Sequence, residues 1–210
     1  METIISAAQI FSKGGPVMYV LLLCSLLVAT IGIERFLYYR THQTDVSLAS
    51  DIAALLDNND WQGALAYCRQ NNRLGAQVAA KGIEACLRGG RYVESSLEGE
   101  AALAAAKLRA NLNHLDTVVT LAPLLGLLGT VIGMIGSFSI LNVKSGQPLA
   151  ITGGVGEALI ATAAGLCVAT FALIVHSILI HRLEHLITDL EEICTVIISH
   201  VQRENSHEAS

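Results

Sequence analysis

The sequence predicts an all-α integral membrane protein with three transmembrane helices, N-terminus outside and C-terminus inside, and two long helices extending into a helical cytoplasmic domain. Three observations predict it. The chain of 210 residues is 52% hydrophobic and only 15% charged, with a mean hydropathy of +0.53, which is too apolar for an ordinary soluble domain. Its apolar residues gather in three nearly charge-free runs, Val17 to Ile33, Thr117 to Leu141 and Val155 to Ile180, each close to the ~20 residues that cross ~30 Å of hydrocarbon as a helix. The runs also lack the period-two alternation of strands, and lipid cannot satisfy an open sheet edge.

Each segment follows in order. Residues 1–16 form an outer-face segment, in which Ile4, Ile5, Ala8 and Phe11 recur at helical spacing before Gly14, Gly15 and Pro16. This pattern predicts a short amphipathic helix from Glu2 to Lys13, lying on the membrane surface. The first span occupies 17–39. Arg35 and Arg40 come after its apolar run and not before it, the arrangement of an anchor and not of a cleaved leader. Phe36, Tyr38 and Tyr39 fit an interfacial aromatic belt.

Residues 40–116 are the cytoplasmic helical domain leading into the second span. Helices are expected from Val46 to Leu56, from Trp61 to Arg69 behind an Asp60 N-cap, and from Leu74 to Leu87 ending at Gly89 and Gly90. From Tyr92 onward the chain is rich in Ala, Leu, Glu and Lys, with neither proline nor a glycine pair, so a helix is expected to run directly into span two at 117–141. A short outer loop, 142–154, precedes span three at 155–180. Over 181–210, Leu183, Leu186, Leu190, Ile193 and Ile197 recur every three or four residues and prolong that helix below the membrane, until a polar tail from Gln202.

Orientation comes from the basic residues. Arg35, Arg40, Lys107, Arg109 and Arg182 flank one set of span ends, and only Lys13 and Lys144 flank the other. The positive-inside rule puts the first set in the cytoplasm. The formal charge of -5, with no aromatic-basic stripe, excludes a nucleic-acid binder. Cys24 and Cys167 lie in spans and Cys68, Cys86 and Cys194 on the cytoplasmic side, with no C-x-x-C pair, the usage of reduced structural thiols. No nucleophile, metal cluster or phosphate loop argues for an enzyme, and no cofactor is implied beyond protons. The inverted repeats and broken helices of a small-solute transporter are not seen.

The spans have unequal faces. With span two on a wheel at about 100° per residue, Ala122, Pro123, Gly126, Gly129, Thr130, Gly133, Gly136 and Ser137 fall in one arc of roughly 140°. In hydrocarbon, such a stripe of small residues lets backbones or a ligand come close. It fits equally the packing of another helix of the same chain or the lining of a central lumen. Span three repeats the design with Glu157, Ala158, Ala161, Thr162, Gly165, Ala169, Ala172 and His176 on one face.

Glu157 is the only acidic residue in the three apolar runs. At such depth an ionisable group costs on the order of 2–3 kcal/mol and usually faces a bundle interior or water. It reads either as an interfacial carboxylate reaching solvent or as a proton or partner-contact group. Thr130 and Thr162 offer hydroxyls at similar depth, able to serve a proton wire or to bond back to their own helix. His176 lies on the same face near the cytoplasmic end, where it either relays protons or caps. His181 and His185 have metal-ligand spacing, but on an exposed face that favours a plain surface pair.

The runs LAPLLGLLGTVIGMIGSF in span two and GGVGEALIATAAGL in span three resemble the two signature regions of the MotA/TolQ/ExbB proton channel family, in its ExbB and TolQ branch. Proline stands seven residues before threonine in the first, and glutamate five before threonine in the second. The likeness is specific over roughly 35 residues. It implies a homopentamer in a bacterial inner membrane, around the single spans of an ExbD-like or TolR-like partner whose membrane aspartate carries the proton. Thr130 and Thr162 would line the proton path, Glu157 would line the upper lumen, and Pro123, Gly126, Gly129, Gly133, Gly136, Ala161 and Gly165 would form the close-packing or pore face. Proton flow would deliver work to a TonB-like or TolA-like periplasmic arm.

The chain departs from better-known members in having Gly153-Gly154 where many have an Ala-Pro pair, and in being shorter, which leaves the branch open between TonB, Tol, gliding and other motors. Three spans, not four, argue against a flagellar stator. Independently of the resemblance, no aspartate lies in any span and one glutamate near the surface cannot carry protons across ~30 Å, so the central carrier must come from another chain. The competing reading is a passive oligomeric scaffold that stabilises a single-span partner.

Overall fold

A computed structural model describes residue 11 and residues 14–42, 47–89, 93–143 and 148–208. The expected surface helix from Glu2 to Lys13 lies, Phe11 apart, outside the described residues. The helices, numbered here in chain order, are α1 Val17–His42, α2 Leu48–Asp57, α3 Trp61–Gln70, α4 Leu74–Leu87, α5 Val93–Arg109, α6 Leu112–Val143 and α7 Pro148–Glu208. No strand occurs among the described residues. Helices α1, α6 and α7 carry the three apolar stretches long enough to cross a membrane.

The chain divides into two compact units. The first holds Met1–Glu34 and Asn111–Ile178, the second Arg35–Ala110 and Leu179–Ser210. In the first unit α6 and the opening half of α7 run antiparallel, with α1 beside them. A Cβ added at Gly32 of α1 would lie 2.9 Å from Val175 Cγ1 of α7, so glycine is what lets those two helices touch. Many large side chains of this unit point outward: Leu23, Leu124, Ile135 and Leu159 are each more than half exposed in the single chain. An apolar surface of that extent has to be covered by lipid or by other spans.

The second unit has an ordinary helical core. Leu48, Ile52, Leu56, Ala64, Ile83, Leu97 and Leu108 are buried together with Leu183, Leu190, Ile193 and Ile197 of α7. The helix-start chemistry expected at Asp60 is present, since the Gly63 amide donates to Asp60 Oδ1 at 2.8 Å. Asn59 before it takes φ 58, and Gly89 after α4 takes φ 68, the left-handed conformation in which asparagine and glycine are least strained. Replacing Asp60 by alanine is expected to cost about 1 kcal/mol locally. Faster amide hydrogen exchange across Trp61–Gln70 in the full chain would report it, whereas unchanged exchange would show that the cap holds nothing.

The continuous helix expected from Tyr92 into span two is instead two helices. The break falls at Asn111, with φ 65, and the carbonyls at the end of α5 find other donors. Leu108 O accepts the Tyr39 hydroxyl at 2.8 Å and Lys107 O accepts Arg35 Nη1 at 3.2 Å. An orphan carbonyl is costly when buried, so donors arriving from α1 make the interruption affordable. The Asn111 side chain itself donates to Glu34 Oε2 at 3.1 Å. Tyr39 therefore departs from the expected aromatic belt: it is 2% exposed, while Phe36 remains exposed with the Arg182 guanidinium 4.4 Å above its ring.

Burial pushes the thiols of Cys68, Cys86 and Cys194 up to about 11, so they are protonated and unreactive at neutral pH. At the far end of the same unit, His200 Nε2 lies 2.9 Å from Asp57 Oδ1, with Arg203 Nη1 3.5 Å from the same oxygen.

Candidate functional site

The small faces of spans two and three meet each other. A Cβ placed on Gly165 would stand 2.6 Å from Ala122 O and 2.9 Å from Gly126 Cα, and one on Gly126 would stand 3.0 Å from Ala161 O. Further along, a Cβ on Gly133 would stand 3.0 Å from Gly154 O and 3.3 Å from Ala158 N, and one on Gly129 would overlap the Ala161 methyl. The two backbones are thus in direct contact over about three turns, which only glycine and alanine allow. The glycines of the stripe thus pack within the chain, one of the two roles open to it. Gly136 stands apart, exposed and with no atom within 4 Å of where a Cβ would be.

Thr162 sits at the centre of this contact, half-buried. Its hydroxyl lies 3.4 Å from Gly126 O across the interface and 3.3 Å from Ala158 O of its own helix. One proton is shared between two carbonyls at long range, leaving the oxygen lone pairs able to accept. Thr130 makes a shorter bond, 2.6 Å, to Leu127 O in its own helix, the local back-bond that membrane threonines commonly form. Pro123, half-buried inside α6, lacks an N–H and so leaves Val119 O without its helical donor.

Glu157 is half-buried, and its Oε1 lies against Gly15, where any Cβ would overlap it. Gly15 also has φ 71, so two separate constraints call for glycine beside the carboxylate. The glutamate thus meets the chain just before α1 begins, a neighbour 142 positions away that helical periodicity could not have named. His176 is half-buried, and His181 and His185 touch each other at 3.4 Å between their Nε2 atoms. Among the described residues no group of three His, Cys, Asp or Glu side chains is placed to hold a metal.

Ser137 is the member of the face whose partner the sequence did not disclose. It is 3% exposed, donates to Gly133 O at 3.0 Å, and presses on Gly154 where a Cβ would overlap its hydroxyl. Gly154 therefore has a local cause, since Ser137 needs the space that a larger residue there would fill, whereas a Cβ on Gly153 would meet nothing within 4 Å.

The chain is similar in sequence to known proteins. The MotA/TolQ/ExbB proton channel family matches residues 70–192, more than half of the chain. A protein from Synechocystis sp. carrying the name ExbB-like 1, a biopolymer transport protein, is 35% identical over 176 residues, covering 81% of this chain and 69% of its own. A second from the same organism, ExbB-like 3, is 38% identical, covering 77% and 79%. The Tol-Pal system protein TolQ of Pseudomonas aeruginosa is 42% identical over 82 residues, 39% of this chain and 36% of its own. With three helices fit to span a membrane and both signature faces packed on one another, the chain belongs to the MotA/TolQ/ExbB proton channel family, whose ExbB and TolQ members are multi-pass membrane channels and not enzymes.

Proposed function

We infer that the chain is the channel-forming subunit of an inner-membrane motor. It works with an ExbD/TolR-like single-span partner that carries a membrane aspartate, and uses the proton motive force to drive TonB-type or TolA-type work across the envelope. Five copies would surround the partner, with the N-terminus outside. The observation that carries this reading is chemical. On the small faces of spans two and three the side chains able to handle a proton are the hydroxyls of Thr130, Ser137 and Thr162, Glu157 near the outer end and His176 near the inner one. Hydroxyls can relay a proton but cannot hold one at neutral pH, so a carrier from another chain is required. Thr162 keeps acceptor capacity for the acid of such a partner, and Thr130 would line the same path.

Proton flux into liposomes loaded with a pH-sensitive dye tests this directly. Under an imposed pH gradient the chain alone should be tight, and the complex with its partner should conduct. Flux should vanish when the partner's membrane aspartate becomes asparagine. Conduction by the chain alone, or none by the complex, would overturn the reading. The direct backbone packing at Gly126 and Gly165 favours one alternative, a scaffold that assembles around a partner and moves no protons. A scaffold would assemble equally well and leave the dye silent.

A further inference from the structure

A cavity of about 280 Å³ in the second unit is lined by Tyr39, Arg182, His185, Leu186 and Asp189. All five residues follow the apolar run of their own helix, Tyr39 in α1 and the others in α7, where Arg182 stands two residues after Ile180. That places the cavity at the headgroup level of one leaflet.

Its wall carries one cation and one anion that the described residues leave unmatched. Arg182 is steadied by a cation–π contact, its guanidinium carbon 4.4 Å from the centre of the Phe36 ring, which leaves its N–H groups free to donate elsewhere. No carboxylate or carbonyl among the described residues takes those donors. Asp189 is half-buried, and its carboxyl is pushed above the usual carboxylate range, first by desolvation, then by neighbouring Glu192, against the opposing pull of His185. No described residue donates a hydrogen bond to it. A carboxylate desolvated without a donor is destabilised until a cation reaches it.

The two charges are ordered. They lie seven residues apart on one face of α7, about 10 Å along the axis, with the cation nearer the apolar run. A free phosphate would meet Asp189, and a lone ammonium would meet Arg182. A phosphodiester joined through two methylenes to a primary ammonium, each one hydrogen bond from its partner, spans on the order of 10 Å. Hung from acyl chains, its phosphate comes first and its ammonium second, as the wall requires. We propose that this cavity binds the headgroup of a phosphatidylethanolamine-type lipid, with the phosphate on Arg182 and His185 and the ammonium on Asp189. The assignment needs only the membrane spans and not proton conduction, so either can fail alone.

Native mass spectrometry of the delipidated full chain, titrated with phosphatidylethanolamine, phosphatidylcholine or phosphatidylglycerol, tests it. Phosphatidylethanolamine should bind at least about tenfold more tightly than phosphatidylcholine, whose quaternary nitrogen has no N–H for Asp189. Arg182→Ala should weaken phosphatidylethanolamine and phosphatidylglycerol alike by about tenfold or more, while Arg182→Lys retains most binding. Asp189→Asn should erase only the preference over phosphatidylcholine. The oligomer mass in the same spectra verifies that each variant is assembled. Equal binding of the two zwitterionic lipids by the unaltered chain, or unchanged binding by Arg182→Ala, would overturn the proposal. Displacement of the lipid by soluble glycerophosphoethanolamine at equal concentration would also do so, by assigning the cavity to a soluble phosphodiester.

Discussion

Replacing Thr162 by valine is expected to cut proton-coupled work steeply while leaving the assembled complex intact. Valine keeps the branched shape against Gly126 and Ala158, so the close contact of spans two and three is preserved; what disappears is a hydroxyl placed 3.4 Å from Gly126 O and 3.3 Å from Ala158 O. If that oxygen accepts from a partner's carboxylic acid, its loss removes a hydrogen bond in a site of low dielectric, worth about 1–3 kcal/mol, or a ten- to hundredfold fall in flux. Thr162→Ser should restore most of it. The dye assay, paired with size measurement of the complex, reads both quantities. Wild-type flux in the valine variant would remove Thr162 from the path and leave the scaffold reading the stronger one.

The largest effect on folding is expected at Gly165. The methyl of Gly165→Ala would sit 2.6 Å from Ala122 O and 2.9 Å from Gly126 Cα, both of them backbone atoms that cannot rotate aside. The helices must separate, and overpacking of this kind typically costs about 1–3 kcal/mol, with further loss as the contact of Gly126 with Ala161 opens. A large drop in thermal midpoint in detergent is the expected result. Gly136→Ala is the matched control, because nothing lies within 4 Å of its Cβ position and alanine is the better helix former. Equal midpoints for the two variants would mean that spans two and three do not pack through these residues. The comparison also divides the small-residue face into members that hold the chain together and one that does not.

Much of this was legible because the responsible forces are local. The spans follow from runs of apolar residues, and α4 was expected at Leu74–Leu87, where it is found. Asp60 was identifiable as a cap because its bond to the Gly63 amide closes within one turn. The face of Gly126, Gly129, Gly133, Ala161 and Gly165 was readable from helical periodicity alone. The break before span two was not. Asn111 offers neither proline nor a glycine pair as a signal, and the donors that satisfy the α5 carbonyls stand 72 and 69 residues away.

The sequence by itself thus determined which runs are long and apolar enough to cross a membrane, which side of each helix is small, and to which family the two signature runs point. Only the tertiary structure decided what those sides touch. It set Gly165 against Ala122 and Gly126, Ser137 against Gly154, and Glu157 against Gly15. The physical reason is that periodicity records the chemistry of a face within a few turns, whereas register between helices depends on backbone approach summed along the whole contact. In that sum, one added methyl at position 165 outweighs any local preference.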